Sequence, residues 1–222
     1  GKTLKSMGVE EKKTVHMTDY WNPTNVTAAL QKLVDDPEVT TIVFDKTPTP
    51  WYIGSVRFGY QVTGKRLLFK SGVQVLKCPW FLRHRLTNGR GPGPMFLIES
   101  AENIIIESDA ARPEDMLIGC YATYAERAKY TKEYGQSAIS ISHKRGKRPT
   151  KNVVIRNLSL SNTEEDGLSV GCNWNPPENI YVENVLFDGN FRQATSPCVY
   201  YSLYFKNCKF INTRGGQPMA GC

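Results

Sequence analysis

The sequence predicts an all-β solenoid of short parallel strands, a parallel β-helix, on three observations. The first is a repeat. Asn152-Val-Val-Ile-Arg-Asn157, Asn179-Ile-Tyr-Val-Glu-Asn184 and Ser202-Leu-Tyr-Phe-Lys-Asn207 share one pattern: a polar opening, alternating apolar and variable positions, and a closing Asn. Asn152 and Asn179 are 27 residues apart, and Ser202 follows 23 later. Imperfect repeats of this length that hold short strands read as stacked coils. The second observation is alternation, which sends successive side chains of a strand to opposite faces. Val153 and Ile155, Ile180 and Val182, and Leu203 and Phe205 then face inward, with Val154 and Arg156 outward. The pattern resumes after each Asn with Leu158 and Leu160, Val185 and Phe187, and Cys208 and Phe210, so each copy is two strands joined at a corner. The third is a further strand per coil. Asp166-Gly-Leu-Ser-Val170 aligns with Gln193-Ala-Thr-Ser-Pro197, residues 137–141 fit one coil earlier, and residues 219–222 continue the stack.

The corner residues Asn157, Asn184 and Asn207 suit their place, because Asn tolerates left-handed backbone and bonds to nearby backbone groups. Stacked at strand spacing of about 4.8 Å, they can also bond to one another. Outside, Arg156, Glu183 and Lys206 stack with alternating sign, a favourable cross-strand arrangement. Residues 1–24 form an N-terminal extension and residues 25–222 the β-helix domain. Residues 25–36 carry apolar side chains at helical spacing and stop before Pro37, which predicts a short helix capping the unpaired edge of the first coil. Residues 40–44 read as a strand, Thr47-Pro-Thr-Pro50 as a turn, and residues 67–70 and 73–76 as further strands. Asn103-Ile-Ile-Ile-Glu-Ser108 lies 49 residues before Asn152, a spacing of about two coils. Nothing after Phe210 serves as a cap. The domain is therefore expected to be truncated at its C-terminal end, with further coils or another chain covering the last one.

Composition narrows the function. One domain is expected of 222 residues with 40% hydrophobic content. No run of 18 apolar residues is present, so no membrane span is expected, and no apolar signal stretch opens the chain. Net charge is +7, with basic runs at His143-Lys-Arg-Gly-Lys-Arg148 and Arg83-His-Arg85. Such a balance attracts an anionic partner. No nucleic-acid motif accompanies the runs, so an acidic polysaccharide ranks above nucleic acid, and a solvated loop with no partner is the plain alternative. The six cysteines include no Cys-x-x-Cys zinc pattern. Cys208 reads as a buried apolar thiol, and Cys172 and Cys198 fall on equivalent strands one position out of register, where a disulfide is one alternative. The sequons Asn25-Val-Thr27 and Asn157-Leu-Ser159 are weak signals, the second lying on a corner residue.

These motifs, with Phe187-Asp-Gly-Asn-Phe-Arg-Gln193 and Asn212-Thr-Arg-Gly-Gly-Gln-Pro-Met-Ala-Gly221, resemble the right-handed parallel β-helix proteins of the pectate-lyase-like superfamily over most of residues 25–222. The resemblance implies a secreted or cell-surface protein. It implies a carbohydrate-active one acting on an acidic polysaccharide, with a polysaccharide lyase favoured over a glycoside hydrolase or epimerase. The alternative is a non-catalytic β-helix used for adhesion, at a surface or in virion assembly. An Asp-Asp pair with a downstream Gly-His and Arg-x-Lys is absent, as is Asp-Pro-His, which argues against the polygalacturonase and mannuronan-epimerase types. Glu133-Tyr-Gly-Gln136 stands where similar repeats carry a Trp-Arg pair.

The resemblance also implies a groove along the outer face of one sheet. Alternation makes its floor Ala138, Ser140, Gly167, Ser169, Ala194 and Ser196, small and without a strong acid or base. The charged candidates stand at the strand entry: Asp166 and Arg192 as a catalytic pair, with Glu165, Gln193 and Arg214 beside them. Tyr134 and Trp174 are candidate sugar-stacking rings, as are Tyr181 and Tyr204 on another sheet. In β-elimination a base takes the proton alpha to a uronate carboxylate, and a cation such as Arg or calcium stabilises the resulting charge. In hydrolysis two carboxylates serve as acid and base. The plain alternative is a structural ion pair between Asp166 and Arg192. No protein metal-ligand set is expected, and calcium is the one cofactor the lyase reading admits.

Overall fold

The computed structural model describes residues 1–87, 93–130, 135–171 and 175–214, and these are mostly β. The strands are β1 (Lys13–His16), β2 (Val39–Phe44), β3 (Trp51–Ile53), β4 (Val56–Phe58), β5 (Lys65–Phe69), β6 (Gln74–Lys77), β7 (Phe96–Glu99) and β8 (Glu102–Ser108). They continue as β9 (Leu117–Gly119), β10 (Ile139–Ser142), β11 (Lys151–Ser161), β12 (Leu168–Val170), β13 (Glu178–Asp188), β14 (Thr195–Pro197), β15 (Leu203–Lys206) and β16 (Lys209–Ile211), with helices α1 (Thr27–Asp35) and α2 (Tyr124–Ala128). All pairings among them are parallel.

The strands fall into three rows. Row one runs β1, β2, β5, β8, the first half of β11, the first half of β13, then β15. Row two runs β3, β6, β9, the second halves of β11 and β13, then β16. Because β11 and β13 belong to both, these rows form one curled eleven-stranded sheet. Row three is a separate five-stranded sheet, β4, β7, β10, β12 and β14. One strand from each row makes a layer.

The bends lie at the expected Asn. Asn157, Asn184 and Asn207 have φ of 60°, 51° and 53°, left-handed values that Asn reaches at low cost. Asn184 Nδ2 donates to Asn157 Oδ1 at 3.2 Å. A second ladder opens row one, from Asn179 to Asn152 at 3.3 Å and from Asn152 to Asn103 at 3.0 Å. The repeat register is as aligned, Val153 with Ile180 and Ile180 with Leu203, Leu168 with Thr195. Val153, Ile155, Ile180, Val182, Leu160 and Phe187 all enter one fully buried core.

Three expectations change. Ile104 pairs directly with Val153, so the 49 residues from Asn103 to Asn152 make one layer, not two. The excess is insertion: residues 120–138, which include α2, and the basic loop 143–150. Val154 points outward yet is fully buried, joined with Leu4 and Ile105 in a second apolar cluster against which Met7, Val9 and Tyr181 pack. The N-terminal residues fold over the outer face of row one, where Arg156 Nη2 donates to Lys2 O at 2.7 Å and Lys2 Nζ lies 4.4 Å from the Tyr181 ring centre. Alternation says which face a side chain takes, but not whether another segment covers that face. Ala138 and Ala194, expected on the groove floor, are fully buried in the main core. The extension also adds a strand, since β1 pairs with β2. Arg156 sits in register with Glu183, while its ion pair is with Glu107 at 2.9 Å.

Helix α1 forms because Leu30, Leu33 and Val34 share one buried face, and it is preceded by Asn25, whose Oδ1 accepts the Thr27 N–H at 2.9 Å. Its C-terminal carbonyls need partners. Lys65 Nζ supplies them, donating to Leu33 O at 3.0 Å, Asp36 O at 2.8 Å and Val39 O. Gln31 protects the edge of row three: its amide donates to Arg57 O and accepts from Arg57 N–H, both at 2.8 Å. One side chain thus stands in for a missing neighbour strand. No helix among the described residues is long and apolar enough to cross a membrane. Cys208 is half-buried at the core margin, and Cys198 is an exposed free thiol. Cys172 and the strand expected at 219–222 lie outside the described residues.

Candidate functional site

The corner between rows two and three is where chain length varies most. Successive layers cross it through residues 54–55, 78–95, 120–138, 162–167 and 189–194. The crossing at 78–95 holds two short turns, Pro79–Phe81 and Arg83–Arg85, and that at 120–138 holds α2, which Thr123 caps by accepting the Glu126 N–H at 3.2 Å. Two ion pairs with a buried acid, Lys77–Glu164 and Arg192–Asp166, lie at this corner.

Asp166 and Arg192 meet on neighbouring layers. Arg192 Nε donates to Asp166 Oδ1 at 2.9 Å and Nη2 to Oδ2 at 2.6 Å, a bidentate pair. Asp166 is fully buried and also accepts from Gln193 N–H at 3.2 Å, from the Ser196 hydroxyl, and more weakly from Ser169 Oγ at 3.4 Å. This carboxylate raises the pKa of Arg192. Glu165 differs. Its side chain is 24% exposed and its Oε1 lies 3.6 Å from Arg192 Nη1. Burial pushes its carboxyl above the ordinary value, against the opposing pull of Arg192.

Deeper in the corner, Lys77 Nζ lies 2.6 Å from Glu164 Oε1, with both side chains buried, and Arg83 N–H donates to Glu164 Oε2 at 2.6 Å. Above them His84 stacks on Tyr130, centroids 3.6 Å apart and planes 12° apart. Tyr121 lies nearly parallel to Tyr130 at 5.7 Å, and its hydroxyl is 3.2 Å from His84 Nδ1. Arg127 is fully buried between the rings of Tyr124 and Phe191, at 5.0 and 5.5 Å. These contacts pin α2 to the layer two steps on.

The structure therefore brings together Asp166, Arg192, Glu165 and Gln193. Arg214 lies one layer further, its N–H donating to Asn190 O at 3.2 Å and its residue exposed. Tyr134 and Trp174 lie outside the described residues. Asp166 is held by two bonds from Arg192 and one from Gln193 N–H, and it shares the single Ser196 hydroxyl proton with Gln193 Oε1, so it positions Arg192 from a fully buried place. Glu165 is the carboxyl with an open side. Removing Arg192 would also strip a buried carboxylate of its counterion, so an Arg192→Ala variant is expected to lose stability too. No group of three or more acidic, His or Cys side chains that could hold a metal occurs among the described residues.

Glu164 read only as an acid preceding Asp166 and His84 only as part of a basic run, and Lys77, Tyr121 and Tyr130 did not stand out in the sequence. One signal was legible: Val75 and Lys77 share a face of β6, and Val75 is fully buried. A Lys at an inward position needs a buried partner. Which acid supplies it, 87 residues away, follows only from the layer stacking.

No match is found among protein-family models, curated proteins or solved structures. The corner is therefore interpreted from its own geometry.

Proposed function

We propose that this chain is a right-handed parallel β-helix, secreted or displayed at a cell surface, that acts on an acidic polysaccharide by β-elimination, with Glu165 as the proton-transfer group. The observation that carries the reading is the pairing of a partly open carboxyl of raised pKa with an arginine whose far side is locked by a buried aspartate. The β-helix itself is supported by three rows of parallel strands whose register recurs at the sequence repeat. Along the outer face of row three, Arg57, Leu97, Ser140, Ser169 and Ser196 stand in register. This gives a low floor on which an extended glycan can lie, with Glu165 and Arg192 at its border.

On this reading ionised Glu165 takes the proton on the carbon alpha to a uronate carboxylate, and Arg192 faces the charge that builds on that carboxylate. The electron pair of the broken C–H bond forms the new double bond. The C–O bond to the neighbouring sugar breaks, and the departing oxygen takes a proton from Glu165 or water. The product is an unsaturated sugar.

A second reading is a non-catalytic glycan-binding β-helix. The burial of Asp166 in its ion pair with Arg192 and the hydroxyl-rich floor favour it. Incubation with pectate, alginate and glycosaminoglycans, followed by ultraviolet absorbance of unsaturated products, separates the two. Turnover that Glu165→Gln abolishes supports the lyase. Binding without turnover in the wild type selects the second reading, and neither binding nor turnover refutes both.

A further inference from the structure

We infer that the open-sided pocket between residues 79–85 and 120–130 on the outer face of row two is a second saccharide-binding site, taking one anionic sugar residue of the polymer that Glu165 acts on. The inference rests on the acidic-polysaccharide reading above. It begins with Leu76. Alternation points Leu76 outward from β6, opposite the core residue Val75, yet Leu76 is buried and does not belong to the main core. The outer face of row two is therefore covered here. Beside the cover lies an open-sided pocket of about 270 Å³ lined in part by Tyr52, Leu76, Pro79, His84, Tyr121 and Tyr130. Sites that take drug-sized ligands run from about 300 Å³ upward, so this pocket has room for about one sugar ring of a chain.

Its lining suits a charged sugar. Three rings lie within 21° of parallel and are fixed by mutual stacking, so their order is already built before any ligand arrives. Aromatic walls bury the C–H faces of a sugar ring, and polar tips can meet its hydroxyls. Burial holds the Tyr121 hydroxyl in its protonated, donating form. Arg85 and Lys129 also line the cavity, both exposed, against the single acid Glu126. Neither Arg85 nor Lys129 has an ion pair among the described residues. The mouth thus carries net positive charge, as a carboxylate or sulfate requires. Lys77 lines the same cavity, and its partner Glu164 immediately precedes Glu165. A polymer that reaches both sites gains from the high local concentration of its second contact.

The test is a titration of acidic oligosaccharides (galacturonate, mannuronate–guluronate and glycosaminoglycan series) into wild type, Tyr130→Ala, the double variant Arg85→Ala/Lys129→Ala, and Glu165→Gln, followed by calorimetry. For an oligosaccharide that the wild type binds, Tyr130→Ala and the double variant are each expected to weaken binding roughly tenfold, the scale of one lost ring or charge contact. They are expected to raise KM with kcat little changed, whereas Glu165→Gln loses turnover and keeps affinity. A neutral oligosaccharide of equal length should bind far more weakly. The double variant replaces two exposed side chains, so it tests the site even if Tyr130→Ala fails to fold. Wild-type affinity and KM in the double variant would overturn the second site and leave the acidic-polysaccharide reading standing. Failure of every acidic oligosaccharide to bind wild type would overturn both.

Discussion

Neutralising Glu164 alone is expected to destabilise the protein by about 3–5 kcal/mol, because it strands a buried ammonium. The side chains of Lys77 and Glu164 are 0% and 3% exposed and their charged atoms are 2.6 Å apart. Water therefore cannot solvate the Lys77 charge once its partner is gone. Glu164→Gln is the informative replacement. It keeps the shape of the side chain and an oxygen for the Arg83 N–H, which now donates to Oε2 at 2.6 Å, so the loss reports the charge and not a cavity. For a chain of this size 1 kcal/mol shifts Tm by about 2–4 °C, which predicts a fall of roughly 6–20 °C. Lys77→Met should fall at the lower end, since the Arg83 N–H still serves the carboxylate. The double variant Lys77→Met/Glu164→Gln removes both charges and should lie within about 2 kcal/mol of wild type, because a buried pair offers little net stability over neutral groups of similar volume. Heat and urea denaturation, followed by two probes to confirm one transition, close the cycle. A Glu164→Gln variant within about 0.5 kcal/mol of wild type, or a double variant no better than the worse single one, would refute the reasoning.

Val182 is fully buried between Ile155 and Phe205 of the adjacent layers, so Val182→Asp should be insoluble or lose more than about 4 kcal/mol. An unchanged melting temperature would sink this register. Asn184 has φ of 51° and donates to Asn157. Asn184→Ala should cost about 1–2 kcal/mol in backbone strain beyond the lost bond, whereas Asn184→Gly should lose the bond alone, and equal melting of the two variants would contradict this. The lyase reading requires ionised Glu165, so kcat/KM should rise with pH through a midpoint above the ordinary carboxylate range, in the direction that burial shifts it. An inflection below that range would be evidence against Glu165. A raised folded-state pKa also means that the stability Glu165 contributes falls as pH rises from its unfolded to its folded value, so activity and stability should move oppositely there.

Sequence pattern alone determined the strand repeat, its register between 153 and 210, the Asn corners, the helix at 25–36, and the neighbourhood of Asp166, Arg192, Glu165 and Gln193. These are local or periodic properties. A side chain's face follows from its place in the strand, and neighbouring layers with nearly equal repeats bring like positions together. Only the tertiary structure decided what covers each face and what each polar group has left to offer. Val154 follows the outward rule and is nonetheless buried, because a segment some 150 residues earlier lies across it. The 49-residue spacing looked like two layers and is one, because insertion length carries no periodic signal. Asp166 has the right type and place for a base and lies fully buried in an ion pair with Arg192, while the less conspicuous Glu165 is partly exposed. Reactivity depends on the balance of burial and partners at one point in space, and that balance is set by the stacking of crossings whose lengths the repeat does not constrain.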